Sequence, residues 1–240
     1  MTSVTNMTVI AVDARNHGDS PHSASHNYFD LAADVSKLIS KFSITKAVII
    51  GHSMGGRTGM VLALTEPSKV ASLVVVDISP VTTSHSLTNF FPKLINTLQS
   101  VDFKGKDTLL KAKTAAKETL IKSGVLDHEG GMYFLLMNIA KLPDNSFGWK
   151  CNLNAMKENF DLISNFPNMS GKTYTGPTLF LGGKLSYYIP VEDLPGIQEL
   201  FPNAQLQYID GAGHNVHSEA PDAFINAVTQ FLSVPAMNLA

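Results

Sequence analysis

Short β-branched runs alternate with amphipathic segments along the first third of the chain, and this alternation strongly constrains the fold. The runs at 7–12, 47–50 and 73–76 each predict a buried strand. Helical spacing between 28 and 42, and again from about Met54 to Leu64, separates these strands. Strands separated by helices need crossover connections, so the pattern predicts a parallel sheet covered by helices on both faces.

The middle of the chain interrupts this alternation. From about residue 81 to 167 the pattern is helical, with no convincing strand. Strand signals return at 178–181 and 205–209, with a helix between them and a last helix from about Pro221. The predicted division is an α/β core of residues 1–80 and 168–240 and a helical cap insertion of residues 81–167.

Composition excludes several classes of protein. With 240 residues, 44% of them hydrophobic, the chain can bury a core, which argues against intrinsic disorder. A net charge of -2 does not suit a nucleic-acid partner, and no apolar run approaches the roughly 18 residues of a membrane span. The single cysteine, Cys151, cannot form an internal disulfide, and no Cys/His cluster has zinc spacing, so no metal is expected. The oligomeric state is not predicted.

The segment from Gly51 to Gly56 (Gly-His-Ser-Met-Gly-Gly) lies between a strand and a helix. A serine nucleophile needs a sharp strained turn at that place, flanked by glycines because a Cβ would collide with neighbouring backbone. This context favours Ser53 as the nucleophile, with the Met54 N–H as the natural oxyanion donor at the helix N-terminus. The alternative interpretation is a serine that caps the helix.

A serine hydroxyl is a weak nucleophile and needs a neighbouring base, usually histidine. Functional groups in open α/β sheets gather beyond the carboxyl ends of strands. His214 follows the last strand and is therefore the predicted base, with His217 as the second candidate. The side chain of His52 is predicted to leave the turn in another direction. A surface or structural role is the alternative for any of these histidines.

The acid that orients the histidine is predicted to be Asp77, which directly follows the strand at 73–76. The more usual place, the loop after the strand at 178–181, contains no carboxylate. Glu192 and Asp193 come later, at the start of a helix, where capping is a sufficient explanation. The alternative for Asp77 is a turn-forming aspartate. The order serine, aspartate, histidine is the one expected on such a sheet.

Several segments together resemble a known family. The matching segments are Asp13–His22, Gly51–Gly56, Val76–Pro80, Pro177–Gly183 and Gly213-His214. They resemble the alpha/beta-hydrolase superfamily, and more narrowly the alpha/beta-hydrolase-domain-containing protein eleven group and the short bacterial esterases related to it.

This resemblance implies the alpha/beta-hydrolase fold and a cofactor-free serine ester or lipid hydrolase under a helical cap. It also implies an acid after the strand that follows the nucleophile helix, which independently favours Asp77. Eukaryotic members are implied to be mitochondrial. The chain shows no transit peptide, so a cytoplasmic location is the alternative expectation.

The chain departs from the family at its N-terminus. Members begin with further strands and a His-Gly loop that supplies a second oxyanion donor, whereas twelve residues precede Asp13 here. We expect a shortened isoform or an incomplete gene model that lacks these N-terminal strands. The loss of one oxyanion donor costs about 10² to 10³ in rate. Either the strand at 7–12 slides inward to pair directly with the strand at 47–50, or the fold is only marginally stable.

The sequence thus predicts a serine carboxylic ester hydrolase, of the esterase or lipase type, acting on an acyl ester or lipid through an acyl-enzyme. The alternative is a catalytically impaired shortened form that binds an acyl ligand or a protein partner. No substrate-binding residue is assigned. Six large apolar residues of the insertion are expected either to line an acyl pocket or to pack within the cap: Phe90, Phe91, Phe134, Leu135, Met137 and Trp149.

Overall fold

A computed structural model describes residues 7–126 and 129–233. Their contacts divide them into two compact units, one of residues 7–11, 27–84 and 165–233, the other of residues 12–26, 85–126 and 129–164. No helix in these residues has the length and apolarity needed to cross a membrane. The helices and strands in chain order are α1 (Tyr28–Lys41), β1 (Ala47–His52), α2 (Met54–Thr65), β2 (Val70–Val76), α3 (His85–Gln99), α4 (Leu109–Ser123), α5 (Glu129–Leu136), β3 (Ile139–Lys141), β4 (Phe147–Trp149), α6 (Leu153–Glu158), α7 (Phe160–Ser164), β5 (Thr178–Gly183), α8 (Leu194–Leu200), β6 (Ala204–Ile209), α9 (Val216–Glu219) and α10 (Pro221–Ser233).

The first unit is built on a four-stranded parallel sheet in the order β1-β2-β5-β6. Its helices supply the crossover connections that parallel neighbours require. The predicted α/β fold with a parallel sheet flanked by helices is therefore confirmed. Since all four strands run in the same direction, their carboxyl ends meet at one edge, and that edge carries the candidate site.

The core of this unit lies on both faces of the sheet. On one side, α2 buries an unbroken run from Met60 to Leu64. On the other, Val228 of α10 packs in a cluster with Val76 of β2 and Leu181 of β5. Burial of each such side chain contributes about 1.5–3 kcal/mol, so the ends of β2 and β5 are held firmly in place.

The predicted strand at residues 7–12 does not form. These residues have no regular structure, and Met7, Val9, Ile10 and Val12 are 42 to 53% exposed. The segment has not slid inward, because the described partner of β1 is β2, from Ala47 opposite Val70 to His52 opposite Val76. A β-branched run forms a strand only where a neighbour supplies hydrogen bonds and a surface to cover, and sequence pattern alone does not reveal that neighbour.

The second unit contains α3 to α7 and a small antiparallel hairpin of β3 and β4. The expectation of no strand in this region is wrong, because two runs of three residues are too short to show a periodic signal. Of the six large apolar residues, Phe90, Leu135 and Trp149 pack on the buried cluster of Leu94, Leu98, Leu120 and Leu153, while Phe91, Phe134 and Met137 are exposed.

The segment 12–26 groups with the second unit, whereas the sequence division places it in the core. The backbone N–H of Asn152 donates to the carbonyl of Asn16 at 2.9 Å, and Asn159 Nδ2 donates to the carbonyl of Ala24 at 2.8 Å. Lys150 forms an ion pair with Asp19 at 2.6 Å. These contacts connect residues more than a hundred positions apart, so local pattern could not predict them.

The absence of a strand at 7–12 predicts a contrast between two matched substitutions in the first unit. Ile10→Ala should change the free energy of unfolding by no more than about 0.5 kcal/mol, because the side chain is 42% exposed. Ile197→Ala, at a fully buried position of α8, should cost about 2–5 kcal/mol. Urea denaturation measures both. An equal loss in the two variants would show that the 7–12 run pairs as a strand in solution.

Candidate active site

Ser53 occupies a strained turn between β1 and α2. Its φ of 51° and ψ of −115° place a non-glycine residue in a sparsely populated region, which costs on the order of 1–3 kcal/mol. The Ser53 N–H donates to the carbonyl of Val76 at 3.0 Å, so the turn is tied to the end of β2. The Ser53 side chain makes no capping hydrogen bond to α2, which removes the basis for interpreting it as a helix cap.

Glycines make this turn sterically feasible, but glycine is not required at every position where it was expected. A Cβ on Gly51 would lie 2.2 Å from the Gly55 carbonyl oxygen, as predicted for a collision with backbone. A Cβ on Gly55 would meet nothing within 4 Å. The second steric requirement falls instead on Gly56, where a Cβ would lie 2.8 Å from Ile78 Cγ2, because α2 approaches the chain after β2 at this point.

Asp77 follows β2 directly and is fully buried, with a φ of 52°. Its Oδ1 accepts the Gly183 N–H at 2.9 Å, and its Oδ2 accepts both the Ser186 hydroxyl and His214 Nδ1, the latter at 2.7 Å. Gly183 is the last residue of β5, whereas Ser186 and His214 belong to the loops that follow β5 and β6. The described hydrogen bonds of this carboxylate thus connect it to residues outside its own turn. This contradicts the interpretation as a turn-forming aspartate.

His214 is oriented by the carboxylate of Asp77. Since an acceptor faces Nδ1, the geometry assigns the ring proton to that nitrogen and leaves Nε2 able to accept a proton. A Cβ on Gly183 would lie 2.1 Å from the Gly213 carbonyl oxygen, so glycine at this position lets the His214 loop lie against the end of β5.

Glu219 and Tyr188 also hold His214 in place. The carboxylate of Glu219 accepts the backbone N–H groups on both sides of His214, from Gly213 at 2.7 Å and from Asn215 at 3.2 Å. The ring of Tyr188 stacks on the His214 ring, with centroids 3.9 Å apart and planes inclined by 22°. The histidine is therefore held at its backbone, its edge and one face.

The side chain of His52 supports His214. Its Nε2–H donates to the His214 carbonyl at 2.8 Å, and the two ring centroids are 4.6 Å apart. Burial lowers the pKa of His52 to about 4, and the neighbouring His214 adds to that effect. Burial also lowers the pKa of His217, whose ring contacts His52 at 4.8 Å. The ring of His52 is thus uncharged at neutral pH beside His214.

The two alternative carboxylates have other surroundings. Asp193 is buried, and it accepts the Ser79 hydroxyl together with the Thr82 hydroxyl at 2.7 Å and the Thr82 N–H at 3.1 Å. Its side chain does not cap α8, so the predicted capping role is wrong for Asp193. It instead ties down the chain that follows Asp77. Glu192 is exposed.

The structure therefore joins Asp77 and His214 directly and places Ser53 at the neighbouring strand end. In the described part of the chain, the hydrogen bonds of His214 reach Asp77 and His52, and none reaches Ser53. The described residues also contain no group of three or more His, Cys, Asp or Glu side chains placed to hold a metal ion.

Sequence reasoning missed three supporting residues, Ser186, Tyr188 and Glu219. For Ser186 and Tyr188 a signal existed, because the loop after β5 leads from the carboxyl end of a strand, where functional groups gather. For Glu219 no local signal existed, because a glutamate in a short helix is ordinarily a surface residue.

Comparison with known proteins identifies the family of this chain. A model of the alpha/beta hydrolase fold family matches residues 5–102. The sn-1-specific diacylglycerol lipase ABHD11 of Mus musculus is 40% identical over 233 residues, which cover 97% of this chain and 74% of the relative. The chain belongs to the alpha/beta hydrolase superfamily.

Other members of the superfamily are similar over comparable lengths. A putative esterase/lipase of Haemophilus influenzae is 34% identical, over 94% of this chain and 74% of the relative. The structure of a marine microorganism esterase superposes with a TM-score of 0.81 at 36% identity, over 91% of this chain and 82% of that one. These relatives support ester-hydrolase activity, as the sequence predicts.

The lowered pKa of His52 predicts a loss of stability in mild acid. Unfolded chains take up a proton on this histidine near its ordinary pKa of 6.5, whereas the folded protein does so only near pH 4. The free energy of unfolding therefore falls as the pH drops from 6.5 to 4, by at most about 3 kcal/mol from this group. His52→Gln keeps a side-chain N–H for the His214 carbonyl and removes the titration, so its stability should fall less over this range.

Urea denaturation at several pH values between 4 and 7 measures this difference. His22→Gln, at an exposed ring in the second unit, serves as the matched control. If His52→Gln and the unmodified chain lose the same free energy between pH 6.5 and 4, the burial of His52 has no part in the acid sensitivity.

Proposed function

We propose that the chain hydrolyses carboxylic acyl esters through Ser53, His214 and Asp77, with an acyl-enzyme intermediate. The observation that carries this proposal is the 2.7 Å hydrogen bond from His214 Nδ1 to the fully buried Asp77, at the strand end beside Ser53. This bond leaves His214 Nε2 as the free base that a serine nucleophile needs. The turn geometry at Ser53 supports the same assignment.

In the first half of the reaction, Ser53 Oγ attacks the ester carbonyl carbon while its proton passes to His214 Nε2. The Met54 N–H, at the start of α2, stabilises the oxyanion. His214 then gives the proton to the departing alcohol, and the acyl group remains on Ser53. In the second half, water gives a proton to His214 and attacks the acyl carbon. The acid is released, and the proton returns to Ser53.

The substrate class that we propose is an ester with a hydrophobic acyl chain, and diacylglycerol is its leading candidate. Mouse and zebrafish relatives, each 40% identical to this chain, are named sn-1-specific diacylglycerol lipases.

Covalent labelling tests the proposed nucleophile. A fluorophosphonate probe should label the purified chain at Ser53, and the label should be lost in Ser53→Ala and reduced severely in His214→Ala, because the hydroxyl needs its base. His217→Ala, at a ring that contacts His52 rather than Asp77, should retain labelling. Peptide mass spectrometry locates the modified residue. A folded chain that stays unlabelled would favour the alternative of a non-catalytic module that binds an acyl ligand or a protein.

Turnover of p-nitrophenyl butyrate tests the acid. Asp77→Asn should lower kcat by about 10³ to 10⁴, because an amide at this place favours the wrong tautomer of the histidine. Asp210→Asn, at an exposed carboxylate just after β6, should leave kcat unchanged. Circular dichroism confirms that both variants fold. Full turnover in a folded Asp77→Asn variant would rule out Asp77 as the orienting acid.

A further inference from the structure

The loop between β5 and α8 places one hydroxyl in contact with two supports of His214. Ser186 Oγ donates its only proton to Asp77 Oδ2, the same oxygen that accepts His214 Nδ1. A hydroxyl also has two lone pairs, and one of them accepts the backbone N–H of Tyr188 at 3.2 Å. Ser186 thus connects the buried carboxylate to the residue whose ring stacks on the histidine.

These two contacts act on different parts of the same ring. Asp77 holds the Nδ1 edge of His214 at 2.7 Å, while Tyr188 covers one face at 3.9 Å between centroids. Together they define the rotation of the imidazole and hence the direction of Nε2. On the carboxylate itself, Oδ1 accepts the Gly183 N–H, and among the described residues Oδ2 accepts hydrogen bonds from Ser186 and His214. Without the Ser186 hydroxyl, His214 would be the one remaining donor to Oδ2 in that part of the chain.

Backbone hydrogen bonds that do not involve the Ser186 side chain also hold this loop. The Ser186 N–H donates to the Gly183 carbonyl at 3.0 Å and closes a turn. The Lys184 N–H donates to the carbonyl of Ile209, at the end of the neighbouring strand β6, also at 3.0 Å. Ile189 is buried and anchors the far end of the loop. Removal of the hydroxyl should therefore disturb the carboxylate and the stacked ring rather than unfold the loop.

We propose that Ser186 is a positioning residue for the hydrolysis, acting on His214 through Asp77 and Tyr188; this inference rests on the proposed function. The hydroxyl fixes the rotation of the carboxylate and the location of the aromatic ring, so that Nε2 remains directed toward the nucleophile. Ser186 contacts neither the substrate nor the reacting atoms in this role. It occupies the loop after β5, which contains no carboxylate, and it supplies a hydrogen-bond donor to Asp77.

Steady-state kinetics with p-nitrophenyl butyrate tests the proposal. Ser186→Ala should lower kcat by about 10- to 100-fold, the range expected when a hydrogen bond to a charged group is lost, with KM changed less than about twofold. Ser186→Thr keeps the hydroxyl and should recover kcat to within about threefold of the unmodified chain. Leu185→Ala, at a side chain of the same loop that is 67% exposed, is the matched control and should behave as the unmodified chain.

A double-mutant cycle tests the link to Tyr188. Tyr188→Leu removes the stacked ring and should also lower kcat. If the hydroxyl positions the ring, the effects of Ser186→Ala and Tyr188→Leu should not add, and the double variant should be less impaired than the product of the single effects. Fully multiplicative effects would show that Ser186 acts through Asp77 only and would overturn the coupled role.

Other outcomes overturn the proposal itself. Unchanged kcat in Ser186→Ala, or an equal loss in Ser186→Thr, would leave the hydroxyl without a positioning role. A lowered melting temperature with kcat retained would indicate a purely structural role. Ser53→Ala in the same assay separates this inference from the proposed function. If Ser53→Ala retains turnover, the proposed function fails; if it is inactive and Ser186→Ala is unimpaired, only the positioning role fails.

Discussion

The site depends on a carboxylate that water does not reach. Asp77 is fully buried at the end of β2, and a buried charge is costly unless donors surround it. Its three described donors come from Gly183 at the end of β5 and from Ser186 and His214 in two loops, all far away in the sequence. The ends of β2, β5 and β6 must therefore meet with little freedom. The requirement to satisfy this one group brings the histidine to the strand end beside Ser53.

Two residues with strained backbone lie at the same edge of the sheet. Ser53 and Asp77 both have positive φ, and each follows directly on one of two neighbouring strands. The pairing of His52 with Val76 sets the two residues side by side. Each strained residue also donates its N–H to the next strand, Ser53 to Val76 and Asp77 to Leu181, both at 3.0 Å. The packed sheet offsets the strain, and two side chains are held in orientations that an unstrained chain would rarely adopt.

Much of this arrangement was predictable from local pattern. Apolar runs and the turns that follow them gave the positions of β1, β2, β5 and β6, and the place of Ser53, Asp77 and His214 at their ends. The errors have a common cause. The run at 7–12 has strand propensity but no regular structure, and Asp193 binds Ser79 and Thr82 instead of capping a helix. In each case a distant neighbour decided the outcome.

The amino-acid sequence by itself determined the class of sheet, the strained turn at Ser53 and the order of the three candidate residues, because these depend on spacing within about ten positions. Only the tertiary structure decided which donors satisfy Asp77, and thereby gave Ser186 and Tyr188 their places around His214. Those contacts join residues 106 to 137 positions apart. Over such separations periodicity carries no information, and pairing is fixed by strand register and by the cost of leaving a buried polar group without a partner.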